Sequence, residues 1–136
     1  MTETQLAAVV LAAGLGTRMR SETPKHLHTL LGRRMVDCVV EAARGLNPDP
    51  LVVVTGPDQR DAFDGVAVAV QEEPRGTGDA TAAARDELEG FQGDVLVASG
   101  DAAAITTEIL GRLVETHRAE GAAATVLSFE REEPAH

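Results

Sequence analysis

Six consecutive residues near the amino terminus, Leu6 to Leu11 (LAAVVL), carry no polar side chain and include a valine pair. A strand with one wet face alternates polar and apolar residues; a run without alternation, rich in β-branched residues, is covered on both faces. This run therefore reads as a buried parallel strand, the kind that needs a helical layer on each side. Leu51 to Thr55 (LVVVT) has the same character and is introduced by the breaker run Asn47 to Pro50. Asp94 to Ser99 (DVLVAS) reads as a further parallel strand, and Val66 to Val70 and Ala122 to Phe129 complete a set of five.

The segments between these runs supply helices. Met35, Val36, Val39, Val40 and Ala43 recur at helical spacing within Arg34 to Arg44, and Gly45 is read as the stop. Cys38 falls inside this helix. A short helix is expected over Pro57 to Phe63, another over Asp79 to Leu88, and a third capped by Thr106 or Thr107 and ended by Gly121. In the last of these Leu110, Leu113, Val114 and His117 share one stripe, so His117 reads as a helix-face residue. Alternating strands and helices predict an α/β fold, a three-layer Rossmann-like sandwich with a mainly parallel sheet. With 136 residues there is material for one domain, spanning 1–136.

The loop after the first strand is chemically unusual. Gly14 and Gly16 remove side chains at alternate positions, so backbone N–H groups can approach an anion closely. Arg18 and Lys25 add two cations, and Pro24 fixes the backbone before the lysine. Taken alone, the glycines fit an ordinary surface loop as well as a phosphate site. Two familiar phosphate loops are excluded by counting: the dinucleotide fingerprint requires glycine or alanine where Met19 stands, and the Gly-Lys-Ser/Thr loop has no counterpart, because Lys25 follows Pro24. Of the twelve basic residues only Lys25 is lysine, which fits a position that needs a compact ammonium.

Two further stretches stand at strand ends. Gln71 to Asp79 (QEEPRGTGD) places glycines just before a helix, a second turn suited to an anion or simply a tight strand-to-helix turn with Asp79 as N-cap. Gly100 and Asp101 come directly after the strand ending at Ser99, at the carboxyl edge where ligands collect in open α/β sheets. Magnesium prefers one or two carboxylates together with waters and phosphates, so Asp101 could begin such a site or merely turn the chain.

The run LAAG-x-GTRM-x-S-x-x-PK-x-LH-x-L-x-G-x-x-M, from Leu11 to Met35, resembles the signature of sugar-phosphate nucleotidyltransferases, most closely the bacterial N-acetylglucosamine-1-phosphate uridylyltransferase domain. The resemblance implies the nucleotide-diphospho-sugar transferase type of fold. It also implies a reaction, UTP plus N-acetylglucosamine 1-phosphate giving UDP-N-acetylglucosamine and pyrophosphate, which feeds cell-wall peptidoglycan. Leu11, Ala12, Ala13, Gly14, Gly16 and Thr17 match nucleotide-binding positions, and Arg18 and Lys25 match the catalytic cations. Gln71, Gly76 and Thr77 match positions that contact the uracil base and neighbouring atoms, and Asp101 matches the magnesium-binding aspartate. Ala102 to Ala104 depart from the family, which has proline and aliphatic residues after that aspartate. The resemblance covers only the amino-terminal part of the family's domain. The chain is therefore expected to carry the nucleotide-binding part without the sugar site, to lack turnover by itself, and to self-associate or be marginally stable through uncovered sheet edges. A nucleotidyltransferase for another sugar phosphate or base, and a non-catalytic nucleotide-binding module, are the alternatives.

The formal charge of −10 argues against nucleic acid and anionic membranes as partners. No apolar run is long enough to span a bilayer, MTETQ lacks the basic start of a signal peptide, and Cys38 has no second cysteine to pair with. A cytoplasmic setting is expected. With no Trp or Tyr, a base would be read by backbone groups and side-chain amides rather than by extensive stacking.

Overall fold

The computed structural model describes residues 5–12, 29–30, 33–57, 59, 63, 65–72, 77–100, 102 and 105–127. Its main sheet contains β1 (Gln5–Leu11), β4 (Leu51–Thr55), β5 (Ala67–Val70) and β6 (Gly93–Ser99). Two short strands, β2 (Thr29–Leu30) and β3 (Arg33–Arg34), pair antiparallel in a separate ribbon that the sequence pattern does not announce. The helices are α1 (Met35–Arg44), α2 (Thr77–Ala83) and α3 (Thr107–Glu120).

In the main sheet the order is β5-β4-β1-β6 and every pairing is parallel. Alternate residues of β1 serve opposite faces. Val9 and Leu11 pack with Val52, Val54 and Ala69 against Ala80 and Ala84 in and just after α2. Val10 and Ala12 pack with Val53 against Val36, Val39 and Val40 of α1, while Ala8 and Leu96 meet Ala42, Ala43 and Leu110 where α1 and α3 adjoin. Burial on both sides explains why β1 and β4 read as unbroken apolar runs. The sheet lies between α2 on one face and α1 with α3 on the other, the three-layer α/β arrangement expected.

Several boundaries differ, each for a local reason. Of the residues expected to form a fifth strand, 122–127 are described and form none. They leave α3 through a left-handed Gly121 (φ 59°), whose N–H is shared between the Arg118 and His117 carbonyls, while Ala122 N–H donates to His117 O and Thr125 Oγ1 is bonded to His117 Nδ1 at 2.9 Å. The segment is thus held to α3 by side-chain and capping bonds instead of a strand ladder. The helix expected over Asp79 to Leu88 begins at Thr77 and ends at Ala83, giving way to a 3-10 turn over Arg85–Leu88 with Glu87 N–H bonded to Ala84 O. Pro57 and Gln59 belong to a 3-10 turn and Phe63 is buried outside any helix; the remainder of that expected helix lies outside the described residues. Thr106 is the N-cap of α3, its Oγ1 accepting from Ile109 N–H, whereas Thr107 Oγ1 donates to Ala42 O.

Gly45 ends α1 for a reason other than backbone handedness. The left-handed residue there is Asn47 (φ 54°). A Cβ on Gly45 would run into the side chain of Thr107, so glycine is what lets α3 seat against the end of α1.

Candidate functional site

Because all pairings are parallel, the carboxyl ends of the four main strands share one edge. The chain moves from β1 outward to β4 and β5 on one side, then returns to place β6 on the other side of β1. Such a reversal opens a crevice beyond the ends of the two strands that flank it, where ligands of doubly wound sheets bind. Here those strands are β1 and β6.

The exits from the strands are fixed by backbone hydrogen bonds. Ala12 N–H donates to Val54 O at 2.7 Å, Gln71 N–H to Thr55 O at 2.8 Å, and Gly100 N–H to Leu11 O at 2.9 Å. Ala12 and Gln71 are thus tied to consecutive carbonyls of β4, one on each side of it. Gly100 is constrained by space: an added Cβ would stand 3.0 Å from Leu11 O and 3.2 Å from Val36 Cγ2. Thr55, with no exposed surface, meets its own polar requirement by donating Oγ1–H to Gly56 O at 2.9 Å.

Of the residues singled out in the sequence, Leu11, Ala12 and Gln71 come together at this edge. The side chains of Leu11 and Ala12 lie in the core on opposite faces, so any contribution they make to a ligand is confined to backbone atoms. Gln71 is only 5% exposed, and Nε2 donates to Asp79 Oδ2 at 2.7 Å. Burying an amide without partners costs about 1–3 kcal/mol, and a hydrogen bond to a charged group offsets it. Thr77 is the first residue of α2, and its side chain is not described. Ala13, Gly14, Gly16, Thr17, Arg18, Lys25, Gly76 and Asp101 lie outside the described residues.

The sequence reading missed the role of Asp79. It is an acceptor for Gln71 in the first turn of α2 and not the residue that precedes the helix. The available signal was an amide and a carboxylate eight residues apart on either side of a strand-to-helix turn. His117 lies on α3 as expected, in a polar cluster away from this edge: Nε2 is 3.4 Å from Asp94 Oδ1, and Arg118 Nε is 2.8 Å from Asp94 Oδ2. Among the described residues there is no group of three or more His, Cys, Asp or Glu side chains suited to a metal, and no helix long and apolar enough to cross a membrane.

Comparison with known proteins gives a consistent family. Residues 8–136 match the family model described as MobA-like NTP transferase domain. The chain is 46% identical to the bifunctional protein GlmU of Cutibacterium acnes, over 94% of this chain and 32% of that protein. It is 40% identical to GlmU of Corynebacterium efficiens, over 98% of this chain and 30% of that protein. It therefore spans about a third of the length of these curated relatives. Among solved structures, Rv0371c from Mycobacterium tuberculosis H37Rv superposes with a TM-score of 0.71 at 27% identity, covering 88% of this chain and 63% of that one.

Proposed function

This chain belongs to the MobA-like NTP transferase domain family, and from that premise we propose that it is the nucleotide-binding part of a sugar-phosphate nucleotidyltransferase that uses UTP and N-acetylglucosamine 1-phosphate. The observation that carries the reading is that Ala12, Gln71 and Gly100 stand at the same carboxyl edge of the sheet, Ala12 and Gly100 beside the reversal between β1 and β6 and Gln71 across β4 from Ala12, with each exit held by a backbone hydrogen bond. The glycine, arginine and lysine positions of the Leu11 to Met35 signature support it independently.

The reaction needs no protein nucleophile. A phosphate oxygen of the sugar phosphate forms a new bond to the α-phosphorus of UTP, and the bond to the bridging oxygen breaks in line, with its electron pair leaving on pyrophosphate. Catalysis then consists of positioning and of neutralising charge that accumulates on the leaving group. In this reading Gly14 and Gly16 give backbone N–H groups access to the nucleotide, Arg18 and Lys25 stabilise the departing pyrophosphate, and Gln71 reads the base. Asp101 is a single hard oxygen donor and chemically suits magnesium, which when bound would neutralise phosphate charge.

Calorimetric titration of the chain with UTP and with ATP, each with and without magnesium, tests the reading. Tighter binding of UTP that depends on magnesium is expected. Equal affinity for ATP and UTP would remove the uridine assignment.

A further inference from the structure

We infer that this chain pairs with a second copy of itself by strand exchange: the 122–127 segment of each copy enters the groove between the other copy's β6 and 122–127 segment. Gly100 N–H donates to Leu11 O, and alternate residues of a parallel ladder turn their N–H and C=O to the same side, so Leu96 and Ala98 serve β1 while Val95 and Val97 turn theirs away from it. Among the described residues no strand lies on that side of β6. The side chains of Val95 and Val97 are 45% and 42% exposed, because they lie on the face opposite Leu96, where the core under α2 takes residues from β1, β4 and β5 and none from β6.

Beside this edge runs a groove of about 690 Å³, lined on one side by Val95 and Val97, at its base by Leu113 and Val114 of α3, and across from β6 by Val126 and Leu127. A strand inside a layered sheet fills roughly 160 Å³ per residue, from about 3.3 Å of rise, 4.8 Å between strands and 10 Å between layers, so the groove has room for one extended segment about four residues long. The 122–127 segment (AAATVL) has the sequence character of a strand, forms none, and leaves Val126 84% exposed. Its own β6 is a poor partner for a reason of handedness. The chain steps from β1 to β4 through α1, and a step from β6 away from β1 runs in the opposite direction, yet α3 lies on the same face as α1. Closing the segment directly onto its own β6 in parallel would make a left-handed crossover, the hand that sheets avoid. A segment from another copy carries no such constraint.

Charge selects the same surface. Copies that each carry a formal −10 repel one another and meet most cheaply through uncharged surface. Residues 95–99 and 122–127 include no charged side chain, and Asp94 at the mouth of the groove is already matched by Arg118 at 2.8 Å and by His117 at 3.4 Å. A two-fold axis satisfies both copies at once. The partner's segment lies between this chain's β6 and 122–127, this chain's segment lies between the corresponding elements of the partner, and the two segments run antiparallel to each other. Such an exchange closes with two copies and does not propagate. The bond from Thr125 Oγ1 to His117 Nδ1 keeps each segment on its own α3 throughout.

The test is sedimentation velocity of the 136-residue chain over a range of concentrations, for the unsubstituted protein, V126K and V95K/V97K, with circular dichroism confirming the fold. The unsubstituted chain should form a reversible dimer. Each variant should weaken it at least about tenfold, since a lysine would be buried without a partner in the exchanged strand or beside it. A synthetic peptide of residues 121–131 should convert the dimer into a one-to-one complex of chain and peptide, and the same peptide carrying Val126→Lys should not. An unsubstituted chain that stays monomeric, or that grows past the dimer, overturns the inference. A dimer that V126K leaves intact and V95K/V97K dissociates also overturns it, because that pattern belongs to β6 pairing edge to edge with β6. Should V126K fail to fold, the peptide decides alone, and a dimer that it does not disturb overturns the exchange.

Discussion

Replacing Gly100 by alanine probes the strand crossing point directly. The new methyl group would lie 3.0 Å from the Leu11 carbonyl oxygen and 3.2 Å from Val36 Cγ2, closer than ordinary carbon contacts by several tenths of an ångström. Neither neighbour yields freely. Leu11 O belongs to a central strand and accepts the Gly100 N–H, and Val36 is fully buried in α1. Overpacking of this kind costs about 1–3 kcal/mol, and stretching the Gly100 to Leu11 hydrogen bond adds up to about 1 kcal/mol. For a chain of this length a loss of ~2 kcal/mol lowers the melting temperature by roughly 6–10 °C. The measurement is urea unfolding of G100A beside G78A, where an added Cβ meets nothing within 4 Å. G78A should match or slightly exceed the parent, by up to about 1 kcal/mol, because alanine suits a helix better than glycine. A lowered midpoint with an unchanged slope is expected for G100A. Stability within about 0.5 kcal/mol of the parent would refute the close-packing account of the β1 and β6 exits.

Three further outcomes are expected. Val95 and Val97 on β6 are 45% and 42% exposed at the edge of the sheet, so the double substitution V95K/V97K should reduce self-association in sedimentation velocity while changing stability by less than about 1 kcal/mol. T106A removes the acceptor for Ile109 N–H at the start of α3 and should lower unfolding free energy by about 1 kcal/mol in the same urea assay. In a pyrophosphate-release assay on a catalytically complete protein containing this domain, K25A should reduce turnover at least ~100-fold and K25R should restore little, because the role proposed is that of a compact point charge; near-normal rates for K25R would show that net charge suffices.

The placement of β1 and β4 is dictated locally. LAAVVL is wholly apolar and LVVVT is apolar up to Thr55, and both are largely buried, with Val9, Val10, Val52, Val53 and Val54 wholly inaccessible. The α1 stripe is legible for the same reason, since its period alone selects the face that meets the sheet. The signature around Gly14 also identified the family without any coordinates, because a run of fixed residue types carries chemical information that folding does not alter.

Tertiary structure decided what depends on partners distant in the chain. DVLVAS has the pattern of a central strand, yet among the described residues β6 is the last strand of the sheet, and only Leu96 of its valines and leucine is buried; a sequence run records which residues can be covered, and not which strands lie beside them. Gly45 reads as a helix stop, whereas its small size is required by Thr107, far along the chain. Asp79 reads as a cap, whereas the folded chain makes it the acceptor for a buried amide. The order β5-β4-β1-β6, which opens the crevice beside β1, follows from how α1 and α2 divide between the two faces, and that division is set by the packing of the whole core and by no single segment.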